Sequence, residues 1–254
     1  MTEPGSDTLS RDAFLGGKVT LFQPKTGYRA GIDPVLLAAS VPVRAGQSLL
    51  DLGCGAGAAA LCVGARVPGV ALTGVEQQAA YAALARRNGQ ANGVDFQVIQ
   101  ADVAALPDAL RQRQFDHVIA NPPYFDPTRR SAATDAGREA ALSAQTPLAI
   151  WIETAARRLR AKGYLHLVLH ISQMPEALAA CSARLGSIEV LPVTARAGRP
   201  AHVILLRARM AGRAAFRLHN PLVLHEGARH DRDGDSYTEQ VTAVLRDGAA
   251  LTWP

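Results

Sequence analysis

Short apolar runs alternate with stretches of helical spacing along most of the chain. Ser48-Leu-Leu-Asp-Leu52 is a compact apolar strand, followed by Gly53-Cys54-Gly55-Ala56-Gly57 and an alanine-rich helical segment over 57–66. Further strands are predicted over 70–75, 94–99, 115–120, 164–169, 187–194 and 201–208, with helices over 77–91, 147–160 and 174–185. In the helix over 147–160, Pro147 stands near the start, Leu148, Ile152 and Leu159 have near-helical spacing, and Gly163 follows as a stop. Strands that alternate with helices imply a parallel sheet with right-handed crossovers. The last two strands are separated only by Ala197-Gly-Arg-Pro200, so they are expected to form an antiparallel hairpin. The pattern predicts an α/β fold with a seven-stranded, mostly parallel, doubly wound sheet in a single domain over 14–254. Residues 1–13 are expected to be a flexible N-terminus, since Met1 to Arg11 is polar and contains Pro4 and Gly5.

The candidate chemistry lies at the ends of these strands, where open α/β sheets bind ligands. Gly53, Gly55 and Gly57 let the backbone turn tightly and approach a ligand closely. Glu76, at the end of the next strand, can accept hydrogen bonds from both hydroxyls of a ribose, and Asp102, after the third, can meet an adenine edge. Gly53, Gly55 and Ala58 also satisfy the dinucleotide fingerprint G-x-G-x-x-G/A. Asp51 argues for a different ligand: a carboxylate beside the loop repels a pyrophosphate and suits a cationic amino-acid tail. S-adenosyl-L-methionine has that tail.

The run Asn121-Pro122-Pro123-Tyr124 points the same way. It ends the apolar strand Phe115–Ala120, and its two prolines forbid further ladder pairing. A rigid turn then presents an amide, a free carbonyl and an aromatic ring. Those groups suit a planar NH2 group: the Asn121 oxygen and Pro122 carbonyl accept its hydrogens, and Tyr124 stacks on its ring system, with Pro123 and Phe125 also placed to contact substrate. A nicotinamide enzyme has no evident use for such a turn. Asn121 also stands within reach of the methyl donor. Arg129, Arg130 and Arg138 follow the turn, where a phosphodiester backbone would run.

Composition restricts the partners more than it identifies them. The net charge of +5 and isoelectric point near 9.4 permit nucleic-acid binding without requiring it. Arg157, Arg158, Arg160 and Lys162 are best explained as answering a helix C-terminal dipole. Arg196, Arg199, Arg207, Arg209, Arg213 and Arg217 can form a basic rim, although alternation along strands would divide them between two faces. His117, His166 and His170 lie on apolar strands and are expected to be core or strand-end residues. The three cysteines, Cys54, Cys62 and Cys181, have no zinc-type spacing, and no metal site is expected. No apolar run is long enough to cross a bilayer and no charged-then-apolar leader is present, so the expectation is a cytoplasmic protein. Oligomeric state stays open.

The order of glycine loop, acidic strand end and Asn121-Pro-Pro-Tyr124 resembles the class I S-adenosylmethionine-dependent methyltransferases, Rossmann-like enzymes that modify amino groups of bases or glutamine amides. Leu15-Gly-Gly-Lys-Val-Thr-Leu-Phe-Gln-Pro24, Gly27–Ala39, Pro221–Glu226 and Tyr237 onward are similar to the bacterial tRNA (adenine-N6) methyltransferase family. The resemblance spans about Phe14 to Leu251 and implies RNA, most naturally tRNA, as partner in a tRNA-processing modification. It also implies that Tyr28–Asp33 folds over the methyl donor. Ile32-Asp33-Pro34 departs from that family's pattern, which lacks the proline; Asp33 is also well placed to cap the helix that follows. Guanine-N2 methylation of RNA and glutamine-N5 methylation of protein remain alternatives. The first would bring a duplicated domain and the second a sizeable N-terminal helical domain, and neither is evident here.

Overall fold

The computed structural model describes residues 8–124, 146–227 and 236–253. Its core is a nine-stranded sheet. The central strands are β3 (Ser48–Leu52), β4 (Ala71–Glu76), β5 (Phe96–Gln100), β6 (Phe115–Ala120) and β7 (Leu159–His170). The far side holds β8 (Gly186–Thr194), β9 (Ala201–Arg209) and two-residue β10 (Arg217–Leu218) and β11 (Leu222–Val223). The order is β10-β8-β9-β7-β6-β3-β4-β5, with β11 also on β8. Only β9 runs antiparallel, inserted between β7 and β8. The seven expected strands are therefore all present and the terminal hairpin is as predicted. The additions are β10 and β11, too short to carry a periodic signal.

Helices α1 (Asp33–Ser40), α2 (Ala58–Arg66) and α3 (Ala79–Ala91) share a core with one face of the sheet. Helices α4 (Asp108–Arg111), α5 (Leu148–Arg158) and α6 (Met174–Ser182) share the core on the other. The central strands β3, β4 and β6 are buried on both faces, which is why they are nearly continuous apolar runs, while β5 at the sheet edge alternates.

A separate antiparallel hairpin, β1 (Leu9–Phe14) and β2 (Val19–Pro24), corrects the expected flexible N-terminus for residues 9–13, while residues 1–7 of that expectation lie outside the described residues. From Leu9 onward the chain is paired. Its anchor is a pair of amides at the C-terminal end of α3: Asn88 on the helix and Asn92 just past it exchange hydrogen bonds of 2.7–3.0 Å with the backbone of Phe22 and Thr20, as a neighbouring strand would. These partners are far apart in sequence and invisible to periodicity.

Two local expectations also change. The helix expected over 147–160 ends at Arg158, and Arg160 and Lys162 stand on β7. Leu159 buries against the sheet and pairs with Phe115, which ends the helix early. Gly163 is then not a helix stop. A Cβ there would lie 2.9 Å from the Asp116 carbonyl oxygen, so the strand can pass only as glycine. The basic residues here have local partners, Arg157 with Glu153 and Arg160 with Asp116. Asp33 is the first residue of α1 rather than its cap. Ile32 holds the cap position, and no side chain caps the helix, while Pro34 fits its first turn.

The C-terminal segment forms α7 (Glu239–Thr242), capped by Thr238 Oγ1, and continues through a wider turn to Asp247. Trp253 then donates from its indole N–H to the Ser40 carbonyl at 3.0 Å. His117 and His166 are core residues, as expected, 3.3 Å apart and held neutral by burial.

Candidate active site

The strand register assembles the site. Leu52 aligns with Val75 and Ala120, and Glu76 with Gln100, so the glycine loop, Glu76, Asp102 and Asn121 all emerge at one sheet edge. Backbone bonds beyond the strands tie these exits together: Cys54 N–H to the Val75 carbonyl at 2.9 Å and Ala101 N–H to that of Glu76 at 3.0 Å.

The three loop glycines do different work. All have positive φ. At Gly53 a Cβ would sit 2.5 Å from Cη2 of Trp151, so α5 packs directly under the turn. At Gly57 it would press on Phe96 at 2.9 Å. Gly55 alone opens outward, with nothing nearer than the Tyr28 ring at 4.0 Å. Its N–H donates to Glu76 Oε2 at 2.9 Å, and Gln78 N–H donates to Oε1 at 2.8 Å. Two backbone donors thus orient the Glu76 carboxylate, and its remaining lone pairs stay open to further donors. Cys54 is a buried filler of this loop, its thiol pushed up by burial and by Asp51 and Glu76.

Asp51 is only 3% exposed. Burial raises its carboxyl to about 8, against the N–H of Ala60, which favours the charged form, and with a further push from Glu76. Oδ2 has no hydrogen-bond partner among the described residues. A buried, orphaned carboxyl oxygen at a ligand edge is suited to a cationic group, whose charge would favour its ionised form. Asp102, by contrast, folds back on its own turn, accepting from Ala104 N–H at 2.8 Å.

At the proline turn, Pro122 is buried while Pro123 and Tyr124 are exposed. The Asn121 side-chain nitrogen donates to the Tyr28 hydroxyl at 3.3 Å. Tyr28 in turn accepts from Tyr81 through its carbonyl at 3.0 Å. More than half of Tyr28 is exposed, yet its phenol is raised to about 12 by desolvation of the hydroxyl end and by Asp33 and Asp51. Burial likewise raises Asp33. One face of the Tyr124 ring stacks on His170, with centroids 4.0 Å apart and planes 17° apart. Trp151 and His170 are the site residues that sequence reasoning did not single out for a role, while Tyr28 lies in the segment the resemblance implied and its bond to Asn121 was not foreseen. Each comes from an element distant in the chain, with no motif to mark it. Phe125, Arg129, Arg130 and Arg138 lie outside the described residues.

This arrangement fits S-adenosylmethionine. The orphaned Asp51 oxygen meets a need for an ammonium group, Gly55 leaves room where a Cβ would intrude, and Glu76 holds an oriented carboxylate for hydroxyl donors.

Comparison with known proteins agrees. Residues 30–195 match the family described as the methyltransferase small domain. A curated tRNA1(Val) (adenine(37)-N6)-methyltransferase from Dickeya chrysanthemi is 30% identical over 229 residues, covering 88% of each chain. Among solved structures, a predicted O-methyltransferase from Agrobacterium tumefaciens is 29% identical with a TM-score of 0.70, covering 86% of this chain and 98% of that one. A T. thermophilus 16S rRNA N2-guanine methyltransferase, solved with AdoMet and guanosine, shares the fold at 22% identity and a TM-score of 0.57, over 80% of this chain and half of that one. The chain belongs to the methyltransferase small domain family, and its cofactor is S-adenosylmethionine.

Proposed function

We propose that this enzyme transfers a methyl group to the N6 amine of an adenosine in tRNA. One observation carries the reading. The Asn121 side-chain N–H donates to the Tyr28 hydroxyl, which leaves the Asn121 oxygen as an acceptor at the sheet edge, with the Pro122 carbonyl one residue on in the same turn. The name of the Dickeya relative supports adenine and tRNA as the acceptor.

The cofactor supplies an intrinsically electrophilic methyl group, so the protein's task is mainly to orient a weak nucleophile. The lone pair of an aromatic amine is delocalised into its ring. The Asn121 oxygen and Pro122 carbonyl accept the two amine hydrogens, favour a pyramidal nitrogen and stabilise the positive charge that grows there. Tyr124 offers the ring face opposite His170 to the base, a contact worth about 1–3 kcal/mol. Asp51, Gly53, Gly55, Gly57, Glu76 and Asp102 hold the donor: Asp51 its ammonium, Glu76 its ribose hydroxyls and Asp102 its adenine edge. No dedicated general base is needed, because the methylated cation is acidic enough to lose its proton to water. Arg129 and Arg130 meet the RNA backbone beyond the turn. A target base in a loop is splayed out at lower cost than one in a duplex.

The test is incubation of unmodified total cellular RNA with methyl-labelled donor, then nucleoside analysis. Label in N6-methyladenosine from tRNA is the expected result. Label in N2-methylguanosine, or only in glutamine of added protein, would refute the assignment of the acceptor.

A further inference from the structure

Beyond Tyr124 the same sheet edge continues across β7, β8 and β9. β6, β7 and β8 run in one direction and β9 in the other. The turn over 195–200 and the start of β9 therefore lie at the same edge as Asn121–Tyr124. Ring stacking makes the connection concrete. Tyr124 stacks on His170, and the His170 ring lies 6.5 Å from that of His202, with planes 24° apart. Three flat side chains thus step outward from the proline turn. His202 at the outer end is exposed.

The turn beside His202 is stiff and basic. Thr194 Oγ1 hydrogen-bonds to the carbonyls of Arg196 and Arg199 at 2.9 and 2.8 Å, and Arg199 N–H donates to the Arg196 carbonyl at 3.1 Å. Three arginines of this region already have structural partners. Arg196 donates to the carbonyls of Glu226 and Gly227, Arg207 pairs with Glu189, and Arg209 bonds the Lys162 carbonyl at the opposite edge. Arg199 is exposed and its side chain has no hydrogen bond or ion pair among the described residues. The segment from Ala195 to His202 contains no carboxylate.

We infer that His170, His202 and Arg199 form a docking ledge for an unpaired nucleotide adjoining the target base. The inference rests on RNA being the substrate. Splaying a base out of a loop unstacks its neighbours, and a neighbour then gains from a flat ring on which to restack. Stacking of this kind is tolerant of base identity, because every base has a π-face. The Arg199 guanidinium supplies the matching phosphate contact. A protein partner would be expected to meet an apolar patch, whereas this ledge presents imidazole and guanidinium groups.

The test uses His202→Ala, His202→Tyr and Arg199→Ala in the full chain, each first shown by melting to fold. Methylation kinetics on unmodified bulk tRNA are measured with cofactor affinity by calorimetry. Binding of a fluorescein-labelled single-stranded RNA ten-mer is followed across a salt series. His202→Ala should raise the KM for tRNA about tenfold while kcat and cofactor affinity stay near wild type. His202→Tyr should restore most of the loss, since it keeps a flat ring. Arg199→Ala should reduce the slope of log affinity against log salt by about one unit or slightly less. A KM that neither alanine variant moves, with wild type active on tRNA, overturns the ledge alone. A tyrosine variant as impaired as the alanine one overturns its stacking role. A wild-type enzyme that methylates protein instead of RNA overturns the acceptor assignment and the ledge together.

Discussion

Asn121 and Asp51 show how single side chains set the chemistry of this edge. The Asn121 amide nitrogen bonds the Tyr28 hydroxyl, which leaves its oxygen as the acceptor that the proposed function assigns to the incoming amine. Asn121→Ala should lower kcat by about 100-fold or more, the scale for removing one preorganised hydrogen-bonding group, and leave cofactor affinity nearly intact. Equal losses in both, by single-turnover kinetics and calorimetry, would move Asn121 into the donor site. Asp51 has the opposite character, a carboxyl whose burial raises it to about 8. The folded state therefore holds a proton that the unfolded chain releases between pH of about 4 and 8, and stability contributed at this position falls as pH rises through that window. Asp51→Asn should melt at nearly the wild-type temperature near pH 4 and several degrees higher near pH 8, without cofactor. The same variant should bind the cofactor more weakly. A melting difference equal at the two pH values would remove the buried carboxyl from the account.

Between elements, the decisive contact is that of α5 with the turn after β3. The Trp151 indole fills the space a Gly53 side chain would need, and the backbone there has a φ of +67°. Gly53→Ala is expected to cost about 2–4 kcal/mol from strain and overpacking together. Melting should drop by roughly 5 °C or more for a chain of this size. Adding Trp151→Leu should recover part of that loss, since the two positions share one contact. A melting temperature unchanged in Gly53→Ala would show that the turn has room to move. Gly55, two residues on, has nothing but the Tyr28 ring within 4.0 Å.

Across the whole molecule, the segment over 251–253 straps helix α1 to the far strands of the sheet. Trp253 bonds the Ser40 carbonyl, lies under the Arg207 guanidinium at 4.4 Å and meets His219 edge-on, while Leu251 N–H bonds the Ala39 carbonyl at 2.8 Å. Glu189 joins this cluster through Arg207 and His219, both of which hold its carboxyl below the ordinary range. Trp253→Ala should destabilise by about 2–3 kcal/mol, read as a melting decrease of roughly 4–10 °C. Cofactor affinity should not change, because the strap lies away from the donor site. A large loss of affinity would couple the C-terminus to catalysis. Among the described residues no helix is long and apolar enough to cross a membrane.

The amino-acid order was enough to reveal the central sheet, because strands buried on both faces are unbroken apolar runs and the crossovers between them keep helical spacing. Gly53-Cys-Gly-Ala-Gly57, Glu76, Asp102 and Asn121–Tyr124 were legible for a related reason: each sits at a strand end, and strand ends in a parallel sheet converge on one edge. The β1–β2 hairpin was not legible, since its partners are the amides of Asn88 and Asn92 rather than another apolar run. Nor were the groups that orient the site. Tyr28 reaches Asn121 across 93 positions, Trp151 underlies Gly53 from another helix, and His170 backs Tyr124 from the neighbouring strand. Periodicity records which face of its own element a residue occupies. Which side chain from elsewhere arrives to meet it depends on packing in three dimensions, and here that packing set the orientation of the Asn121 amide, the face of Tyr124 left open and the burial of Asp51.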